Sequence, residues 1–321
     1  MILQPITSVP GKEELLQTAD AIRPMIHRTP VMTCAALDRI SGASLFFKCE
    51  NFQKIGAFKM RGAASAALRL TEAQKARGIA THSSGNHAQA VARAAQVLGI
   101  SAYIVMPENA PGIKKAATAG YGAEIVFCAP TQAAREAALE EVVQRTGAHF
   151  IHPYNDYNVI AGQASAALEL LQDHPDLEAV MAPIGGGGLM SGTALTCRYF
   201  APSVKIYGAE PEMVNDAYRS FHSGKIESNA STNTLADGLR TNLGEKTFAI
   251  IREHLEEVLT VSEESIVEAM RHIWERMKII VEPSCAVPFA AVLSYPDVFR
   301  GKKVGLILTG GNVDLGHLPF V

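Results

Sequence analysis

The 321-residue chain has no apolar run near the ~20 residues that cross a bilayer, so no transmembrane helix is expected. Basic residues gather only into pairs such as Lys114-Lys115 and Lys302-Lys303, and the formal net charge is −3. Nucleic acid is thereby disfavoured as the main partner, because phosphate neutralisation needs a clustered positive face. The five cysteines (Cys34, Cys49, Cys128, Cys197, Cys285) are scattered and odd in number, with no C-x-x-C pair. Neither a disulfide framework nor a zinc knuckle fits them, and a reducing compartment does. The opening Met1-Ile2-Leu3-Gln4-Pro5 lacks a basic region followed by an apolar stretch, so no signal peptide is expected and the cytoplasm is the expected location. No G-x-G-x-x-G register exists and no glycine loop ends in Gly-Lys-Ser/Thr, which disfavours dinucleotide and Walker-type sites.

What is present is ordinary for a globular protein with a sizeable core: 48% hydrophobic and 19% charged residues. At roughly 100–200 residues per domain, the length suggests two domains. Short β-branched or apolar runs (Leu45–Cys49, Gly78–His82, Ala102–Met106, Glu124–Cys128, His149–His152, Ala179–Pro183, Lys205–Ala209, Lys303–Leu308) alternate with alanine-rich helical patterns. The helices are expected at Met60–Leu70, Asn86–Leu98, Ala133–Arg145, Ile160–Leu171 and Ser265–Met277, with a capping box Thr71-x-x-Gln74 opening a further short one. The alternation predicts an α/β fold of parallel open sheets with helices on both faces. No linker composition separates the halves, so the two domains are expected to interleave. Residues 72–152 form the small one, residues 1–71 and 153–321 the large one, and a ligand cleft lies between them.

Four motifs carry chemistry. In Gly56-Ala57-Phe58-Lys59-Met60-Arg61-Gly62-Ala63 a single lysine stands among small residues at a helix start, beside an aromatic ring. An ammonium is unfavourable at that positive end, which lowers its pKa and favours the nucleophilic amine. Ser83-Ser84-Gly85-Asn86-His87 follows a strand and opens a helix, where hydroxyls and free N–H groups suit a carboxylate. An ordinary N-cap would not need two serines, a glycine and an asparagine together. Gly185-Gly186-Gly187-Gly188-Leu189 repeats the strand–loop–helix setting with N–H groups bare enough to wrap a phosphate. Thr309-Gly310-Gly311-Asn312 ends the last strand, at the carboxyl edge where ligands of open sheets collect. After strand Lys205–Ala209, the run Glu210 to Asp216 could supply an oxygen site for a hard cation, although acidic residues in such loops are ordinarily just solvated. His82, His87, His149 and His152 lack helical metal spacing and read as packing or hydrogen-bonding residues.

Taken in order, these motifs resemble the pyridoxal 5'-phosphate (PLP) enzymes of fold type II, the tryptophan synthase β-like group. Within it the chain is similar to the serine/threonine dehydratase and serine racemase family, on the threo-3-hydroxyaspartate ammonia-lyase and serine racemase branch. The resemblance runs from His27-Arg28-Thr29-Pro30 to the final Gly-Gly-Asn. It implies two interleaved open-sheet domains with the cofactor in the cleft and, as a family expectation, a homodimer. It further implies that Lys59 forms an imine with PLP, Phe58 packs on its ring and Asn86 bonds the ring hydroxyl. Gly185, Gly186, Gly187, Gly188 and Leu189 would hold the phosphate, Thr309 would meet the ring nitrogen, and Gly238 and Glu282 would lie near the ring. Ser84 matches the acid or base on the face opposite Lys59, and Ser83, Asn86, His87 and Arg135 match holders of substrate carboxylates. Glu210, the carbonyl of Val214 and Asp216 match a divalent-cation site for Mg²⁺, with Mn²⁺ or Ca²⁺ as alternatives. The implied activity is removal of water and ammonia from a 3-hydroxy amino acid: 3-hydroxyaspartate, serine or threonine. Arg135 and Arg240, able to pair a second carboxylate, tilt the choice toward the first. Serine or aspartate racemisation is the alternative. Ala57, where many members carry serine, and Tyr154-Asn155, where mammalian racemases differ, bear on substrate preference.

Overall fold

A computed structural model describes residues 3–110 and 112–320; Met1 and Ile2, part of the opening segment considered above, lie outside the described residues. Among the described residues ten strands form two sheets. The strands are β1 (Val31–Met32), β2 (Ser44–Cys49), β3 (Ile79–His82), β4 (Ala102–Pro107), β5 (Glu124–Cys128), β6 (His149–Phe150), β7 (Ala179–Pro183), β8 (Lys205–Pro211), β9 (Glu257–Val261) and β10 (Lys303–Leu308). One sheet has the order β1-β2-β10-β7-β8-β9 and the other β5-β4-β3-β6. All pairings are parallel except the short β1 against β2. The four-stranded sheet thus comes from one continuous stretch of chain, set between β2 and β7 of the six-stranded one. β1 and β9 went unread in the sequence: the first is two residues long, and the second is an edge strand of mixed polarity.

The central strands are near-continuous in apolar residues because both faces are covered. Helix Pro283–Ser294 lies in the apolar layer on one face of the large sheet. Helices Tyr157–Asp173 and Gly188–Phe200 lie in the layer on the other. Helix Asn86–Leu98 covers one side of the small sheet and helix Gln132–Thr146 the other. The Thr71–Gln74 capping box forms as expected, with Gln74 N–H donating to Thr71 Oγ1 and Thr71 N–H to Gln74 Oε1. Helix Lys59–Leu68 crosses helix Tyr157–Asp173 at Gly62 and Gly162, whose backbones pack so closely that a Cβ on Gly162 would fall 2.7 Å from Gly62 Cα.

The same crossing buries a group of charges that the sequence did not announce. Arg61 Nε and Nη2 donate to Glu50 at 2.7 and 2.8 Å, and its Nη1 and Nη2 donate to Glu169, each at 2.8 Å. Lys48 Nζ adds bonds to Glu169 at 2.6 Å and to the Thr29 carbonyl at 2.7 Å. Two cations thus meet two carboxylates. Such compensation is what allows charges to stay out of water.

Candidate active site

The segment that carries Lys59 begins in a strained turn. Ile55 holds φ +62° and Gly56 φ +72°. For a β-branched residue that is an outlier which its surroundings must enforce. Asn312 enforces it: its Nδ2 donates to the Ile55 carbonyl at 2.8 Å, and a Cβ on Gly56 would strike its Oδ1. Phe58 N–H donates to the Thr309 carbonyl at 2.9 Å and Gly311 N–H to that of Gly56 at 3.0 Å. The segment before Lys59 and the Thr309–Asn312 segment therefore lie side by side.

Lys59 is the first residue of its helix. Its Nζ donates to the Pro153 carbonyl at 2.8 Å and lies 5.2 Å from the centre of the Phe58 ring. The residue is half-buried, and burial brings its pKa down to about 8. Withdrawal from water is the cause of that shift.

β3 ends at His82, and the Ser83–Gly85 turn leads into helix Asn86–Leu98. Gly85 N–H donates to Ser83 Oγ at 3.3 Å, and a Cβ on Gly85 would meet nothing within 4 Å, so the turn faces open space. Among the described residues no group bonds the Ser84 hydroxyl. Asn86 Nδ2 donates to both oxygens of Glu282, at 2.9 and 3.2 Å, while its Oδ1 accepts from Asn312 at 2.8 Å. His87 is buried with Nε2 3.1 Å from the Ile151 carbonyl, and burial holds its pKa well below the usual value. A carbonyl only accepts, so Nε2 carries the proton and the ring is neutral. Arg135 has a buried Nε without a partner, and its charge bears on His82, next to Ser83. Among the described residues it bonds neither serine.

The glycine loop joins β7 to helix Gly188–Phe200. Among the described residues, no acceptor meets the N–H groups of Gly185 to Leu189. Glycine is required here: Gly187 holds φ +85°, and a Cβ on Gly186 would fall 2.2 Å from the Tyr154 ring. Gly238 N–H donates to Ser284 Oγ at 3.0 Å, and its carbonyl would lie 3.0 Å from a Cβ on Gly185. Glu282 is buried; burial first, then the charge of Asp237, pushes its pKa up to about 7 against the Asn86 bond. The Thr309 hydroxyl is buried without a partner.

Glu210 lies inside β8 rather than in the loop the sequence suggested, because the strand runs on to Pro211. Its carboxylate accepts N–H bonds from Tyr218 at 2.5 Å and Ala217 at 3.3 Å. Asp216 accepts from Asn229 Nδ2 at 2.5 Å and Leu243 N–H at 2.9 Å. Burial is the main cause that raises both pKa values, Asp216 to about 6 and Glu210 well above the usual range, where Asp216's charge adds to it. Arg219 bears on both but donates to Asn215 and to the Ser228 carbonyl. No cluster of three His, Cys, Asp or Glu side chains occurs among the described residues. A cation here would therefore need a further oxygen from the backbone, as the Val214 expectation supposes.

Sequence reasoning passed over Pro153, whose carbonyl holds Lys59, and the linking role of Asn312. Only the Thr-Gly-Gly-Asn motif hinted at the latter. A carbonyl partner leaves no trace in residue identity.

Residues 22–310 match the family described as pyridoxal-phosphate dependent enzymes, and the chain belongs to it. The chain is 48% identical over 312 residues to a β-hydroxyaspartate dehydratase of Paracoccus denitrificans (strain Pd 1222), covering 97% of this chain and 99% of that protein. It is 46% identical over 308 residues to the L-threo-3-hydroxyaspartate ammonia-lyase of Saccharomyces cerevisiae, covering 96% and 94%. Among solved structures, the serine racemase of Dictyostelium discoideum superposes with a TM-score of 0.91 at 44% identity, covering 95% of this chain and 99% of that one. The fold is therefore that of fold type II PLP enzymes. The site suits the cofactor: an amine whose pKa burial lowers, a loop of unengaged N–H groups at a helix start and a buried hydroxyl without a hydrogen-bond partner.

Proposed function

We propose that the chain is a PLP-dependent ammonia-lyase acting on 3-hydroxyaspartate, with serine and threonine as poorer substrates, to give the 2-oxo acid and ammonia. The observation that carries this reading is the near full-length match to two relatives named for hydroxyaspartate. The unpartnered Nε of Arg135, whose charge bears on His82 at the end of β3, supports a substrate with a second carboxylate.

When bound, PLP supplies an aldehyde that takes up amines and a ring that draws electrons from the α-carbon. In this reading Lys59 is the cofactor's amine partner, Phe58 flanks the ring, and Asn86, Gly238 and Glu282 lie around it. Gly185 to Leu189 hold the phosphate through backbone N–H groups, and the neutral Thr309 hydroxyl meets the ring nitrogen. Ser83, Ser84, Asn86 and His87 orient the α-carboxylate. Lys59, deprotonated above pH about 8, takes the α-proton and as the ammonium returns a proton to the β-hydroxyl, which leaves as water; a second water then releases the ammonia by hydrolysis. Serine racemisation is the second reading: serine racemases stand among the relatives, and the unbonded Ser84 hydroxyl is free to move a proton on the face opposite Lys59.

The proposal extends to a divalent cation, Mg²⁺ foremost, on Glu210, Asp216 and the Val214 carbonyl, supported by two buried carboxylates lacking a cationic partner. It also extends to the division into residues 72–152 and the remainder, and to a cytoplasmic homodimer. Five free thiols support the compartment, and the exposed apolar pair Phe52 and Ile280 supports the dimer.

The test offers L-threo- and erythro-3-hydroxyaspartate, L-serine and L-threonine to the holoenzyme while 2-oxo acid release and serine inversion are followed. A hydroxyaspartate should give the highest kcat/KM. Inversion of serine without any 2-oxo acid would reject the lyase in favour of the racemase. Lys59→Ala should lose both turnover and cofactor trapped by borohydride.

A further inference from the structure

We infer that His152 is a positioning residue for the Lys59 amine, acting through the turn His152–Asn155. Its Nδ1 accepts two backbone N–H groups, from Tyr154 at 3.2 Å and from Asn155 at 2.9 Å. The Tyr154 N–H shares one planar peptide unit with the carbonyl of Pro153, so holding that N–H on the imidazole turns the carbonyl the other way, where it accepts from Lys59 Nζ at 2.8 Å. One imidazole nitrogen thus fixes the carbonyl that holds the reactive amine.

The turn does two further things. The Tyr154 ring covers the glycine loop so tightly that Gly186 tolerates no Cβ, and Asn155 Oδ1 accepts the Lys246 N–H at 3.0 Å near the start of helix Glu245–His254. The imidazole is itself wedged, with ring centres 5.6 Å from Phe150 and 4.6 Å from Tyr154. Accepting two amides requires Nδ1 to be unprotonated, which places the ring proton on Nε2. Across a cavity of about 410 Å³ stand His82, Glu136 and Glu140, and the positive groups bearing on the ring are His82, Lys59 and Lys246. Burial, with those groups behind it, brings the pKa to about 4. The acceptor is therefore maintained through the neutral range.

The inference rests on the reading of Lys59 as the cofactor lysine, and the test separates the two. In His152→Asn the amide Oδ1 stands where Nδ1 was and can accept the same N–H groups; in His152→Gln the carbonyl lies one bond farther out and cannot. Holoenzymes of the wild type, both variants and Lys59→Ala are reduced with borohydride, and the modified peptide is located by mass. kcat and KM are then measured across pH. Trapping on Lys59 in all but Lys59→Ala supports the underlying reading; trapping elsewhere defeats that reading and this inference with it. With trapping intact, His152→Asn should stay within about threefold of wild type, while His152→Gln loses ~10- to 100-fold in kcat with KM little changed, the scale expected of a misplaced reacting group. The Gln variant should also move the basic limb of its kcat profile, because the amine loses its carbonyl. Equal activity of the two variants, equal loss in both, or a loss confined to KM would each overturn the role assigned to His152.

Discussion

The buried charges around Arg61 and those around Glu210 stand in different situations inside one protein. Around Arg61 every carboxylate oxygen meets a cationic donor, in a group that ties β2, the turn after it and two helices together. Around Glu210 two carboxylates face backbone and amide N–H groups only, and burial raises the pKa of both. A protein that encloses four charges in balance also encloses two carboxyls with no cation bonded to them. In the proposed reading the second arrangement is half of a site whose other half is an ion.

Removing one member of the balanced group should have the largest effect. Arg61→Met leaves Glu50 and Glu169 buried without their main partner, and a loss of ~3–5 kcal/mol is expected in urea unfolding. A loss below about 1 kcal/mol would show that the group is not the compensated cluster described here. The unbalanced pair should respond to supply: Mg²⁺ at a hundredfold over its Kd should stabilise by ~2.7 kcal/mol, read as a chelator-reversible rise in Tm. Glu210→Gln should abolish that rise, and an undiminished rise in the variant would place the ion elsewhere. A smaller and more gradual effect comes from Glu282, a third buried carboxyl without a cation bonded to it. Its folded-state pKa, about 7, lies above the usual 4.5. Between those values the unfolded chain binds fewer protons than the folded one, so stability should fall as pH rises through that window, by at most ~1.4 kcal/mol per pH unit. Glu282→Gln should flatten that part of the profile; an unchanged slope would assign it to another group.

Much of the fold was legible, because parallel strands buried on both faces leave unbroken apolar runs and helices leave alanine periodicity. Glu124–Cys128, Ala179–Pro183, Lys303–Leu308 and helix Asn86–Leu98 fall where the pattern put them. Strand β9 was illegible because an edge strand needs no such run. Of the site, the glycine loop and Lys59 announced themselves through residue types that have few other uses together. The Arg61 group did not: arginine and glutamate scattered over a hundred residues look like surface until folding brings them to one point. Pro153 and His152 stayed hidden for another reason, since both act through lone pairs and backbone geometry that any sequence motif leaves out.

Lys59 lies between β2 and β3 and Pro153 between β6 and β7, in the two connections by which the chain passes from the six-stranded sheet to the four-stranded one and back. A single ammonium hydrogen therefore fastens the outgoing and homecoming segments together at the neck of the insertion. An amine that condenses with a carbonyl compound has fewer hydrogens left to give. On the role proposed for Lys59, loading the enzyme would loosen that neck, and proteolytic nicking on either side of it would gauge whether the nitrogen is engaged.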